Sequence, residues 1–261
     1  MKKVMKKKAN HEISTNYSNK KIICYDCETS GLNPAYSSIL QLAAICVDSE
    51  FNEIGRIDLR GRMKKFWPIP HPKSLLVNSV SIDQLKNHEN SNFSLISQIQ
   101  NQFLSWGESI FMGFNSINFD EKHVQNSLFQ SVYHPYLTNT NGNVRSDALK
   151  LVQTAASAYP NAFVKPISDE TGKLTFQLEK LAKANNIKQE KAHDALSDVE
   201  ATLGVCKLIR ERCSDVWTSA QKTLSKKDVY NLMDQDQAYC STRYWKGHEY
   251  THGVVYLTKN P

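Results

Sequence analysis

The chain has 261 residues, 40% of them hydrophobic and 22% charged, the make-up of a globular protein with one large domain or one domain plus a small second piece. No apolar run approaches the ~20 residues that cross a bilayer, and the lysine-rich start lacks both the apolar stretch of a secretory signal and the arginines of a mitochondrial one, so no membrane partner and a cytoplasmic location are expected. Residues 1–21 hold seven lysines and one acid, Glu12, whereas residues 22–261 hold 25 basic and 25 acidic residues, so the formal charge of +6 lies in the tail and the body cannot grip nucleic acid by net charge alone.

Residues 1–20 are expected to form a disordered basic tail. Residues 20–29, 39–48 and 52–63 read as three strands, and their short links favour an antiparallel meander. FWPIPHPKS (66–74) holds three prolines and reads as a loop. Phe93, Ile96, Ile99 and Phe103 give residues 92–106 a helical stripe. SIFMGFN (109–115) is a short buried strand, and Asp120 opens a helix with Val124, Leu128 and Val132 on one stripe. NTNGN (139–143) is a turn, and residues 146–158 read as a helix stopped by Pro160. Further helices are expected at 175–187, 195–213 and 221–234, and residues 240–261 are aromatic and strand-like. Strands first as a meander, then alternating with helices, imply an α/β protein whose mixed sheet is covered by helices.

The six cysteines suggest no disulfide framework. Cys24 and Cys27 have C-x-x-C spacing, but an odd separation on a strand puts them on opposite faces, against a redox or zinc motif. Cys206 and Cys213 read as small core residues of one helix face. His248 and His252 share a face of a strand-like segment but stand about 13 Å apart, too far for a shared ion.

The chemistry begins with KIICYDCETSGL (21–32). On a strand, Asp26 and Glu28 project side by side, about 7 Å apart at their backbones. Close carboxylates repel in a dry site unless a cation lies between them, and paired hard oxygens favour Mg²⁺ or Mn²⁺. Taken alone, the pair is a weak signal and reads more readily as an exposed edge-strand feature. Two later segments add to it. In GFNSINFD an apolar strand again ends in an acid, Asp120, and in AHDALSDVEA His193 precedes a helix with Asp198 in its first turns. Asp26, Glu28, Asp120, His193 and Asp198 all lie at junctions that can converge at one end of a sheet.

The succession DxET-SG-L, G-F-N-x-x-x-F-D and H-D-A-x-x-D resembles the DEDDh exonucleases of the ribonuclease H-like fold, most closely the bacterial exonuclease I family, from about residue 22 onward. The resemblance implies a mixed five-stranded sheet flanked by helices. It implies an exonuclease domain over 21–215, a helical connector over 216–239, and at 240–261 the beginning of an incomplete SH3-like domain, so that the chain is a fragment or a pared-down form. It implies a metal-dependent 3′→5′ exonuclease that hydrolyses single-stranded DNA to 5′-mononucleotides, in a DNA-repair setting. The alternatives are an RNA- or oligonucleotide-trimming or proofreading exonuclease, or an inactive nucleic-acid-binding relic. By the same resemblance Asp26, Glu28, Asp120 and Asp198 hold two Mg²⁺ ions, with Mn²⁺ as substitute, and His193 is the general base. Two ions roughly 3.5–4 Å apart activate water and stabilise both the attacking and the leaving oxygen. Thr29, Gly31 and Leu32 line the pocket for the 3′-terminal nucleotide, or serve ordinary turn chemistry. Asn115 and Phe119 position the Asp120 turn, and Tyr136 stacks on the strand. Gln125, Gln153 and Gln177 stand where the family has arginines that meet phosphates, which implies weaker, less salt-dependent binding. A monomer is expected, with single-stranded DNA, or RNA, as substrate and a single-stranded-DNA-binding protein as partner.

Overall fold

The computed structural model describes residues 17–64, 68–78, 80–191, 193–233 and 238–255. The expected basic tail lies outside these up to residue 16, as do residues 256–261 of the expected second domain. Residues 17–20, grouped above with the tail, are described: Tyr17 is buried and its hydroxyl donates to Asp228 Oδ2 at 3.1 Å.

Three strands, β1 (Lys21–Thr29), β2 (Ile39–Val47) and β3 (Glu53–Arg60), form the antiparallel meander expected from their short links. Two short helices follow, α1 (Pro72–Val77) and α2 (Ile82–Asn87). The proline-rich loop is thus interrupted by helix where Pro72 sits in the first turn, a position that suits its fixed φ. Next come α3 (Asn92–Trp106), β4 (Ser109–Gly113) and α4 (Asp120–Gln130). Phe93 and Val132 do not belong to the stripes assigned to them. Phe93 is exposed ahead of the buried run from Leu95, and Val132 lies past the end of α4 with a left-handed backbone.

The expected helix at 146–158 is two elements. Val144–Asp147 is β5, and α5 is Ala148–Ala158, with Asp147 as its N-cap. A four-residue strand has too few positions to show a period of two, so its residues read as helix. Then follow α6 (Leu178–Ala184), shorter than expected, α7 (Ala195–Arg212), α8 (Ser214–Gln221) and α9 (Lys226–Met233). A hairpin ends the described chain: β6 (Ala238–Trp245) pairs antiparallel with β7 (His248–Val255). It leans on the body through Phe176 and Tyr244, whose rings are 4.8 Å apart, and through Ser157 of α5, which hydrogen-bonds Glu249 and Thr251.

The main sheet has the order β3-β2-β1-β4-β5, with β4 parallel to both neighbours. Helices cover both faces, which is why β1 and β2 are continuous apolar runs rather than alternating ones. Ile22 and Cys24 face the core shared with α5 and α7, while Ile23, Tyr25 and Cys27 face the core shared with α3 and α4. Cys24 and Cys27 thus lie on opposite faces, as their spacing requires. No helix among the described residues is long and apolar enough to cross a membrane.

Gly113 closes β4 where space runs out. A Cβ there would lie 2.6 Å from Ser116 Cβ and 2.7 Å from the Tyr25 carbonyl oxygen. Backbone cannot yield as a flexible side chain can, so Gly113→Ala is expected to cost roughly 1–3 kcal/mol, read as a lowered midpoint in urea unfolding.

Candidate active site

The strand period carries Asp26 and Glu28 onto the face of Ile22 and Cys24, under α7. The first turn of α7 brings Asp198 to the same place. One carboxylate oxygen each from Asp26, Glu28 and Asp198 lies within 4.8 Å of the others, and all three residues are half-buried. This is the one such cluster of potential metal ligands among the described residues. His248 and His252, exposed on β7, form none.

Asp120 reaches the site from the other side. β1 pairs with β4 only as far as Cys24, so the Cys27 N–H has no strand partner there. Asp120, first residue of α4 and almost fully buried, accepts it through Oδ1 at 3.0 Å. The bond answers a backbone donor that would otherwise be unsatisfied and holds Asp120 beside Asp26 and Glu28.

The electrostatics are those of an anion cluster in need of cations. Burial, then Asp120, Glu28 and Asp198, hold the Asp26 carboxyl well above the usual carboxylate range. Burial and Asp198 push Glu28 up to about 8, with Arg60 pulling it back. Burial raises Asp120 to about 7 against the Cys27 hydrogen bond. Asp198 is raised by burial, opposed by the Gln189 amide, which donates to its Oδ1 at 2.7 Å, and by His193. Clustered hard oxygen donors that resist ionisation without a counter-charge fit divalent ions of the Mg²⁺ or Mn²⁺ type.

The sign of the pH effect follows. Between about pH 4 and about pH 8 the unfolded chain sheds these protons while the folded site retains them, so stability falls as pH rises. A divalent ion displaces the protons and reverses the loss. The metal-free protein is therefore expected to melt at lower temperature at pH 8 than at pH 5, and added Mg²⁺ to raise Tm more at pH 8. Thermal denaturation at both pH values, with and without Mg²⁺, checks this.

His193 is exposed at the entrance to α7, in a left-handed conformation (φ 62°). With Asp198 and Gln189 it lines a groove of about 590 Å³, whose walls include Asn115, Gln153, Gln177 and, from the hairpin, Tyr244 and Lys246. Asn115 is also left-handed (φ 63°), and its N–H donates to Asp147 Oδ1 at 3.0 Å. Phe119 caps α4, with its ring 4.5 Å from that of His123.

Thr29 is buried, and its hydroxyl donates to the Gly31 carbonyl at 2.8 Å. Its own carbonyl accepts from Ser74 and Asn78, so α1 roofs the turn after β1. Leu32 and Tyr136 are exposed, and neither lines the groove. Gln125 turns inward and donates to Glu121 Oε1 at 2.8 Å. The buried Glu121 also accepts from Tyr25, Thr138 and Arg145.

Sequence reasoning did not find Asp147, Gln189 or the Glu121 network. Asp147 ahead of the apolar run of α5 carries an N-cap signal. Gln189 and Glu121 stand in no pattern that marks them.

Residues 23–206 match the RNase_T family of exonucleases. The chain is 31% identical to exodeoxyribonuclease I of Haemophilus influenzae over 211 residues, 80% of this chain and 44% of that protein. It is 30% identical to the Escherichia coli enzyme of the same name, over 82% of this chain and 45% of that one. It thus spans less than half the length of these relatives. Among solved structures, Escherichia coli exonuclease I in complex with a dA16 oligonucleotide superposes with a TM-score of 0.76 at 27% identity, covering 84% of this chain and 47% of that one. Exonuclease I of Methylocaldum szegediense gives 0.80 at 27% identity, over 90% and 51%. The mixed sheet between helices is therefore the ribonuclease H-like fold that the motifs implied, and the chain belongs to the RNase_T exonuclease family, with the motifs of its DEDDh members.

Proposed function

We propose that the chain is a metal-dependent 3′→5′ exonuclease that hydrolyses single-stranded DNA to 5′-mononucleotides. Asp26, Glu28, Asp120 and Asp198 hold two Mg²⁺ ions, and His193 is the general base. The observation that carries this reading is the convergence of three carboxylates within 4.8 Å beside a groove that His193 also lines. Escherichia coli exonuclease I has been seen in complex with dA16 and dT13 oligonucleotides, in agreement with a DNA strand as the occupant of the groove.

When bound, the two ions polarise the phosphate and stabilise charge on the attacking and leaving oxygens. Asp26, Glu28 and Asp198 would together hold one ion, and Asp120, which gives one oxygen to the Cys27 N–H, would offer its other oxygen to the second, with Asp26 serving both. The exposed imidazole of His193 accepts the proton of the attacking water, the general-base role that histidine most often fills. Thr29, Gly31 and Leu32 receive the terminal nucleotide.

The test is a time course on 5′-labelled single-stranded DNA and on RNA of the same sequence, in Mg²⁺ or EDTA. The expected result is a ladder of DNA shortening from the 3′ end, abolished by EDTA. Faster shortening of RNA supports the trimming reading instead, since the 2′-OH is the group that differs. No cleavage in Mg²⁺ or Mn²⁺ by folded protein overturns the enzymatic reading in favour of a binding module.

A further inference from the structure

Glu28, Gln41 and Arg60 lie in one row across β1, β2 and β3, each directly opposite the next. Residues opposite one another in antiparallel pairs share a face, so Arg60 stands on the α7 side of the sheet, two strands from Glu28. From there its Nη2 reaches Asp194 Oδ2 at 2.9 Å. Asp194 is the N-cap of α7, and its other oxygen accepts from the Ser197 N–H. One carboxylate thus ends the helix and ties that end to the edge of the sheet.

His193 immediately precedes this cap. Its left-handed backbone is a conformation that a side chain with a β-carbon adopts at a cost, so its surroundings must hold it there. Two tethers flank it. Ahead of it the Lys191 N–H donates to Ser197 Oγ at 3.0 Å, and after it Asp194 is held by Arg60. The first tether joins the loop only to α7. Among the described residues the second ties it to the main sheet, at β3, two strands from the β1 that carries both Asp26 and Glu28.

We propose that Arg60 is a positioning residue for His193, fixing the imidazole over the carboxylate cluster through its ion pair with Asp194. The inference rests on the hydrolytic reading above. The pair is partly exposed, with side chains 40% and 21% accessible, so it adds little to global stability, and its loss should be felt in geometry. The competing role for a cation at this edge is direct contact with a substrate phosphate.

The test compares the whole chain with Arg60→Ala, Arg60→Lys, Asp194→Asn and the double variant Arg60→Ala/Asp194→Asn. Asp194→Asn keeps a capping oxygen and removes the charge. Arg60→Ala is expected to lower kcat on 5′-labelled single-stranded DNA by about 10- to 100-fold, the cost of a misplaced catalytic group, with KM, its salt dependence and Tm nearly unchanged. Asp194→Asn should match it, the double variant should be no worse than either, and Arg60→Lys should recover most of the loss. Amide hydrogen exchange should quicken around residues 191–194 in Arg60→Ala. That readout needs no substrate, so it judges the tether even if the wild-type chain cleaves nothing, in which case the hydrolytic reading is what fails. A raised KM with a flattened salt dependence makes Arg60 a phosphate contact and overturns the proposal. So does wild-type kcat, additive losses in the double variant, or unchanged exchange.

Discussion

Asp26→Asn is expected to lower kcat by roughly 10³-fold or more, because it takes one of the three clustered carboxylates from the proposed metal site while keeping its volume. The same change should stabilise the metal-free protein. Asp26 is held well above the usual carboxylate range by burial and by Asp120, Glu28 and Asp198, so the folded site disfavours its charge. A neutral amide relieves that repulsion and lets Glu28 and Asp198 ionise more easily. Metal-free Tm at pH 8 should rise, by roughly 2–4 °C for each kcal/mol relieved, while the gain in Tm on adding Mg²⁺ largely disappears. Loss of activity together with loss of the Mg²⁺-dependent gain in Tm identifies a ligand. A variant that is inactive yet still stabilised by Mg²⁺ as strongly as the parent would remove Asp26 from the metal site.

His193→Ala should part these two effects. The imidazole is exposed, lines the groove and is not one of the clustered carboxylates. Its removal is expected to lower kcat by about 10²- to 10⁴-fold, the usual contribution of a general base, with the Mg²⁺-dependent gain in Tm retained. Alanine also adopts the left-handed backbone of position 193 less readily than asparagine does, so His193→Asn is the companion variant. It is expected to lose the same activity with a smaller cost in folding. Comparable losses in both locate the defect in proton transfer rather than in the loop.

The central site was legible because each part rests on a local rule. Asp26 and Glu28 share a face by the period of a strand, and the apolar residues before them show which face is covered. Asp198 was visible as an acid in the first turn of a long helix. The convergence of strand and helix was not a local property. It depends on α7 packing across β1 and β2, which the order of motifs suggested only through a family resemblance. The fifth strand was hidden for a related reason. Val144–Asp147 is too short to show its period, and its pairing with β4 is a long-range choice.

The supporting residues were least legible. Arg60 and Asp194 are 134 positions apart and meet only because β3 ends beside the start of α7. Gln125 illustrates the converse. Its place in the sequence suggested a groove position, whereas the buried Glu121 draws its amide inward, since an acid with four partners dictates where its neighbours point. Gln153 and Gln177 do line the groove, so the weaker phosphate binding expected from glutamine in place of arginine is to be sought at these two positions first.

The most direct test of the site is anomalous diffraction from crystals grown with Mn²⁺ and a nucleoside 5′-monophosphate. The account predicts two ion peaks, one between Asp26, Glu28 and Asp198 and the second beside Asp26 and Asp120, with the phosphate between them and His193 facing it from the groove. Mn²⁺ bound elsewhere, or no ion at these carboxylates in crystals that hold the nucleotide, would contradict it.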